Sequence, residues 1–259
     1  MVLILTRDPL TKTWKDPVKS ERPLSKEAWV RQLDWAQILV LSFTLVIIIA
    51  LWNTWLLFPL RILVVFFHEL SHALAAWLTG GRVVGIRIVA HEGGLCVTRG
   101  GMAFLILSAG YLGSLLWGGL LLKLASSGKR TPWAVGALGG LIIVVTVWLF
   151  RPLLQFGTVF GFLAGVALIA CAWKLPATAN GHILQVCGLT SCLYAILDIR
   201  GDLFGPAMHG PNDAILLAHQ TGIPAVLWGV LWLGISVPVA LYFLLRACRR
   251  KPGMSNIRH

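Results

Sequence analysis

The stretch RILVVFFHELSHALAAWL, from Arg61 to Leu78, decides what kind of fold this chain can adopt. As a helix its 18 residues would be about 27 Å long, close to the roughly 30 Å hydrocarbon core of a bilayer. Within it lie His68, Glu69 and His72. Polar and ionisable groups in a membrane span are expensive, so each is a functional candidate.

The rest of the chain agrees with a membrane reading. It has 259 residues, 57% of them hydrophobic and only 12% charged, and its mean hydropathy is +0.80. A soluble domain carries roughly 25% charged residues. A globule of this length has too little polar surface to cover so much apolar volume. A soluble enzyme, a disordered chain and a disulfide-rich secreted domain all fit poorly. The net charge of +12 would suggest nucleic acid in a soluble protein. No Lys/Arg run is interleaved with aromatics here, so no nucleic-acid partner is expected. The basic residues read instead as membrane-end anchors facing anionic headgroups of the lipid bilayer. The five cysteines form no C-x-x-C pair, so neither a disulfide framework nor a thiolate metal site is expected.

Working outward from the quoted span, residues 1–35 read as a polar tail, 36–246 as an integral membrane domain and 247–259 as a basic tail. The segment Ser25–Trp35 reads equally as a short interfacial helix or as disorder. Apolar segments suggest spans over Ile38–Phe58, Arg61–Leu78, Met102–Leu124, Trp133–Phe150, Phe156–Trp173 and His182–Ile199. A last one starts at Asp213, breaks near Gly222 and Pro224, and runs to Leu245. Between the second and third spans, Val83, Val84, Ile86, Ile88 and Val89 precede Gly93-Gly94. That pattern predicts a β-hairpin at the membrane surface. The expected fold is an all-α polytopic membrane protein with about six to eight transmembrane helices and a short β-hairpin after the second helix. Its expected location is a bacterial plasma membrane or an organelle membrane.

With seven spans the two tails fall on opposite faces. The N-terminal face then holds twelve basic residues and the other ten, which favours a cytoplasmic N-terminus by a small margin. A basic C-terminal tail fits the outside badly. An eighth crossing, or a re-entrant last helix broken at Pro224, would relieve this.

The acids are informative because they are few. Five of the ten lie in the N-terminal tail; the others are Glu69, Glu92, Asp198, Asp202 and Asp213. His68-Glu69-Leu70-Ser71-His72 is an H-E-x-x-H motif. Two histidines four residues apart share a helix face, so both rings reach one Zn²⁺. Glu69 is placed to take a proton from a metal-bound water, whose pKa zinc lowers to about 7. A catalytic zinc wants three protein ligands and an open position, so a third ligand is needed from elsewhere. Four spans separate the motif from the 200–212 loop. That loop therefore returns to the same face, and the aspartates near it can meet the histidines.

These residues resemble the site-2 protease class of intramembrane zinc metallopeptidases, in a compact form without a PDZ domain. The resemblance rests on Phe67-His68-Glu69-Leu70-Ser71-His72-Ala73, on Gly80-Gly81, and on Ser108-Ala109-Gly110-Tyr111-Leu112-Gly113-Ser114, which is similar to the class's third-helix pattern. It implies cleavage of a membrane-embedded protein substrate. Members of the class place the third zinc ligand in a Leu-Asp-Gly motif, which is absent here. By context, at a helix start after a Gly/Pro-rich loop, the analogue is Asp213; Asp198 and Asp202 are alternatives. Helix capping is a competing role for Asp213. His209 and Asn212 flank it as candidates to support the ligand or touch substrate.

Blander readings cover the remaining polar residues. Arg61 is expected to snorkel to a headgroup, and His91 and Glu92 to form a solvated turn. His182 is expected at the interface, and His219 outside the ligand set. Two other functions stay open: a catalytically inactive metal-binding scaffold, and a transporter using a His/Asp relay. The sequence leaves the oligomeric state undetermined.

Overall fold

The structure, a computed structural model, describes residues 6–7, 14–15, 33–204 and 212–249. Near the N-terminus β1 (Thr6–Arg7) pairs antiparallel with β2 (Trp14–Lys15). Most of the 25–35 segment lies outside the described residues. Then follow α1 (Trp35–Ala50) and α2 (Phe58–Leu78), strands β3 (Arg82–Ile88) and β4 (Gly94–Arg99), α3 (Ala103–Ala125) and α4 (Thr131–Leu149). The chain continues as α5 (Phe156–Lys174), α6 (Ala177–Phe204), α7 (Asp213–Thr221) and α8 (Ala225–Ala247). Six of these helices, α2 to α6 and α8, are long and apolar enough to cross a membrane. The expected break in the last helix is real: Gly222 ends α7 in the left-handed region at φ 74°, and Pro224 caps α8.

The central element is α2. Ile62 through Phe67 are all buried, and the largest core cluster gathers around them from β3, α4 and α6. A helix that is apolar on every side has to be enclosed by neighbours. α3 and α6 pack antiparallel at close range. A Cβ on Gly118 would meet the Gly188 carbonyl oxygen at 2.8 Å, and one on Gly188 would meet the Gly118 carbonyl oxygen at 2.9 Å. Small residues permit this approach, and dispersion rewards it within lipid.

The hairpin does not sit at the end of α2 as a surface flap; it folds back along the helix. Gly81 N–H donates to the Ala76 carbonyl near the C-terminal end of α2. Midway, Gly94 lies against the Glu69 carboxyl. At the tip, Glu92 meets Arg61 on the first turn of the helix, 2.9 Å apart. The reason is apolar: Ile86 and Ile88 are each 1% exposed and belong to the same core cluster as Phe66 and Phe150. The outer edge of β3 is taken by the α4–α5 turn, where Arg151 N–H donates to the Ile86 carbonyl.

The start of α1 and the end of α8 meet on one face. Asp34 N–H donates to the Cys248 carbonyl at 2.8 Å, and Leu33 bridges Arg249. This corrects the seven-span count. α1 has only 16 residues, about 24 Å, and is not among the candidate spans. It starts at the tail face, and beyond its end Trp52 packs against Tyr194 of α6 and under the Arg61 guanidinium. Six long apolar helices give an even number of crossings, in keeping with Asp34 and Cys248 on one face. Arg61 and Glu92 also depart from expectation: they form an ion pair instead of a headgroup anchor and a solvated turn.

Candidate metal centre

The site is assembled from α2, β4, α3, α6 and α7, which face one cavity of about 690 Å³. α2 supplies His68, Glu69 and His72; β4 forms one wall; the end of α6 and the start of α7 bring Asp198, Asn212 and Asp213.

On α2 the i, i+4 spacing brings the two imidazoles together, with ring centroids 4.7 Å apart. Their seat on α3 is Gly110, where any Cβ would overlap both rings. Tyr111 packs edge-on against His68 at 5.1 Å. His72 Nδ1 lies 2.6 Å from the Ile106 carbonyl oxygen. A carbonyl only accepts, so Nδ1 carries the proton and donates it. His72 Nε2 is thereby left with its lone pair facing the cavity.

Asp213 completes the cluster from α7. One oxygen, Oδ2, lies 3.1 Å from His68 Nε2 and 3.2 Å from His72 Nε2. The competing capping role falls to its neighbour: Asn212 Oδ1 accepts from Ile215 N–H at 2.9 Å. Burial would raise the Asp213 carboxyl, but beside His72 and His68 in their protonated, metal-free forms it is held below its usual range. It is anionic at neutral pH, the form that binds a cation.

Asp198 stands on the other side of the same imidazole. Its Oδ2 is 3.9 Å from His68 Nδ1, the nitrogen turned away from Asp213. The side chains of Asp202 and His209 lie outside the described residues. His182 is exposed on the tail face, away from this cavity.

Glu69 is 5% exposed and packs against Gly94, where a Cβ would overlap its carboxyl. Sequence reasoning missed both glycine seats and Cys96, the β4 residue whose backbone interacts with Glu69. Burial, then the charges of Glu69 and Asp213, push the Cys96 thiol up to about 12, so it stays protonated.

The donor set suits a metal. Ligand atoms of His68, Glu69 and His72 lie within 4.8 Å of one another. A tetrahedral zinc with bonds near 2.0–2.1 Å needs ligand–ligand edges of about 3.3–3.4 Å. The 3.1 and 3.2 Å separations between Asp213 Oδ2 and the two Nε2 atoms are close to that.

Comparison with known proteins adds one finding. The family model for Peptidase M50B-like proteins matches residues 41–243, which includes the whole cluster and all six long apolar helices except the end of the last. No curated protein and no solved structure matches the chain. The match agrees with the resemblance to site-2 proteases and with an integral, multi-pass membrane protein of metallopeptidase type. By fold, membrane helices and family model, the chain belongs to the Peptidase M50B-like family.

Proposed function

We propose that the protein is an intramembrane zinc endopeptidase that hydrolyses a peptide bond in a membrane-embedded protein substrate, as in regulated intramembrane proteolysis. One observation carries this reading: Asp213 Oδ2 faces the Nε2 atoms of both His68 and His72 at 3.1 and 3.2 Å. His68, His72 and Asp213 would hold Zn²⁺, which supplies a Lewis acid for the scissile carbonyl and an acidified water.

The chain's own residues do the remaining work. Glu69 takes the proton of the attacking water and passes it to the leaving amine, so the C–N bond breaks as the new C–O bond forms. Its buried carboxyl is held near the ligands by Gly94 and the Cys96 backbone. The Ile106 carbonyl fixes the His72 tautomer, and Asp198 faces the rear nitrogen of His68. A substrate helix must unwind first, because its amides are shielded by their own hydrogen bonds. An extended substrate can then add to a strand edge. β3 is unsuitable because Arg151 already occupies its outer edge. β4 lines the cavity beside Glu69, and among the described residues no strand pairs with its other edge.

The test compares the parent with Glu69→Gln, reconstituted with single-span membrane proteins, with zinc measured in both. Cleavage by the parent and its loss in the variant, at equal zinc, is the expected result. Equal cleavage by the two overturns the role of Glu69. A zinc-loaded parent that cleaves nothing overturns the enzyme in favour of a scaffold.

A further inference from the structure

A second polar cavity lies at the tail face, remote from the metal centre. It measures about 470 Å³ and sits among the ends of α3, α6 and α8 and the starts of α1 and α4. In a body this apolar, a polar cavity of such size needs an occupant or a reason. Its deepest polar lining residue is Gln185, only 5% exposed, whose amide forms no hydrogen bond with another described residue. The amide has unused donors. Lys129 and Arg249 line the same space. The start of the 28-residue helix α6 does so too, through Ala177, Thr178 and Gly181, and a helix start is the positive end of its dipole. Among the described residues Asp34 is the one lining acid, and its carboxyl accepts from the N–H groups of Ala36 and Gln37.

Two further observations say what kind of anion would arrive. Trp35, Trp133 and Trp173 are 62%, 83% and 87% exposed, and all three stand at helix ends on this face. Exposed tryptophans at helix ends mark the headgroup level of a bilayer. The cavity therefore opens in the headgroup plane. Charge agrees. Among the described residues Lys123, Lys129, Arg130, Lys174, Arg246 and Arg249 stand at the helix ends and connections of this face. Such a face adjoins the anionic cytoplasmic leaflet.

We propose that this cavity binds the phosphate of an anionic phospholipid headgroup. Gln185 and the start of α6 would donate to the phosphate, Lys129 would balance its charge, and the acyl chains would lie on the apolar helix surface below.

The experiment uses the full chain, purified in detergent, with phosphatidylglycerol, phosphatidylcholine and inorganic phosphate as separate probes. Native mass spectrometry reads retained lipid in the parent, in Gln185→Leu and in Lys129→Gln. Phosphatidylglycerol should be retained in preference to phosphatidylcholine. Each substitution should weaken it by about fivefold or more, the effect of one basic residue near an anionic surface. Lys129 is exposed, so its variant keeps the fold, and zinc content checks both variants. Equal retention of the two lipids overturns the proposal, as do variants that bind like the parent. Inorganic phosphate that displaces the lipid at millimolar concentration also overturns it, by pointing to a soluble anion.

Discussion

One carboxylate oxygen of Asp213 lies 3.1 Å from His68 Nε2, across 145 residues of chain. The same oxygen reaches His72, while Asp198 approaches His68 from the opposite ring nitrogen. The two aspartates should therefore behave differently. Asp213→Ala should abolish zinc binding. Asp198→Ala should retain zinc with affinity lowered by about 10- to 100-fold, the usual cost of losing a group behind a ligand. Metal analysis and chelator competition on both variants check this. Zinc retained by the first and lost by the second reverses the assignment.

The two glycine seats separate binding from turnover. Gly110 touches both histidines, whereas Gly94 touches Glu69. Gly110→Ala should lower zinc content. Gly94→Ala should keep zinc and lose cleavage. Each overpacking should cost about 1–3 kcal/mol of stability. Melting curves read beside zinc content and activity distinguish these effects, and a Gly94→Ala variant of full activity would count against the Glu69 placement.

Placement of the start of α1 and the end of α8 on one face predicts the accessibility of the tails beyond them. With the five native cysteines replaced, Leu5→Cys and Ser255→Cys should both be labelled from the same side, the cytoplasmic one. Labelling from opposite sides restores an odd number of crossings.

If β4 receives the substrate, single prolines at Leu95, Val97 and Thr98 sample both directions of its backbone N–H groups and leave the Cys96 contact with Glu69 intact. At least one should lower cleavage strongly while leaving zinc in place, because proline removes a ladder donor. Full cleavage by all three would exclude strand addition at this edge.

The hairpin tip offers a stability test. Arg61 and Glu92 pair at 2.9 Å with side chains 12% and 28% exposed. Glu92→Ala should cost about 2 kcal/mol, the scale of a charge-assisted hydrogen bond. Thermal unfolding in detergent measures it, and the exchange Arg61→Glu with Glu92→Arg should recover part of the loss.

Much of this architecture was legible in local patterns. Apolar segments long enough for a bilayer, Gly93-Gly94 between β-branched runs, and Gly222 with Pro224 each act over a few residues, so the helices, the hairpin and the break before α8 could be read directly. The His68–Glu69–His72 constellation was legible for the same reason, since helix periodicity alone puts the two rings on one face.

What lay beyond the sequence depended on contacts between distant segments. Hydropathy could not separate α1 from a longer span, because both are apolar; its 16-residue length and the pairing of Asp34 with Cys248 are features of the folded chain. Nor could composition rank three aspartates lying within 16 residues of one another. Their difference is directional: Asn212 takes the cap of α7, and Asp213 is left facing the Nε2 atoms of two imidazoles seated on Gly110. Residue types and helix spacing determined that this chain carries a metal-ligand pair inside a membrane protein. Packing alone decided which acid meets that pair, which strand walls it, and on which face the chain ends, because those choices are set by inter-helix geometry that no local pattern encodes.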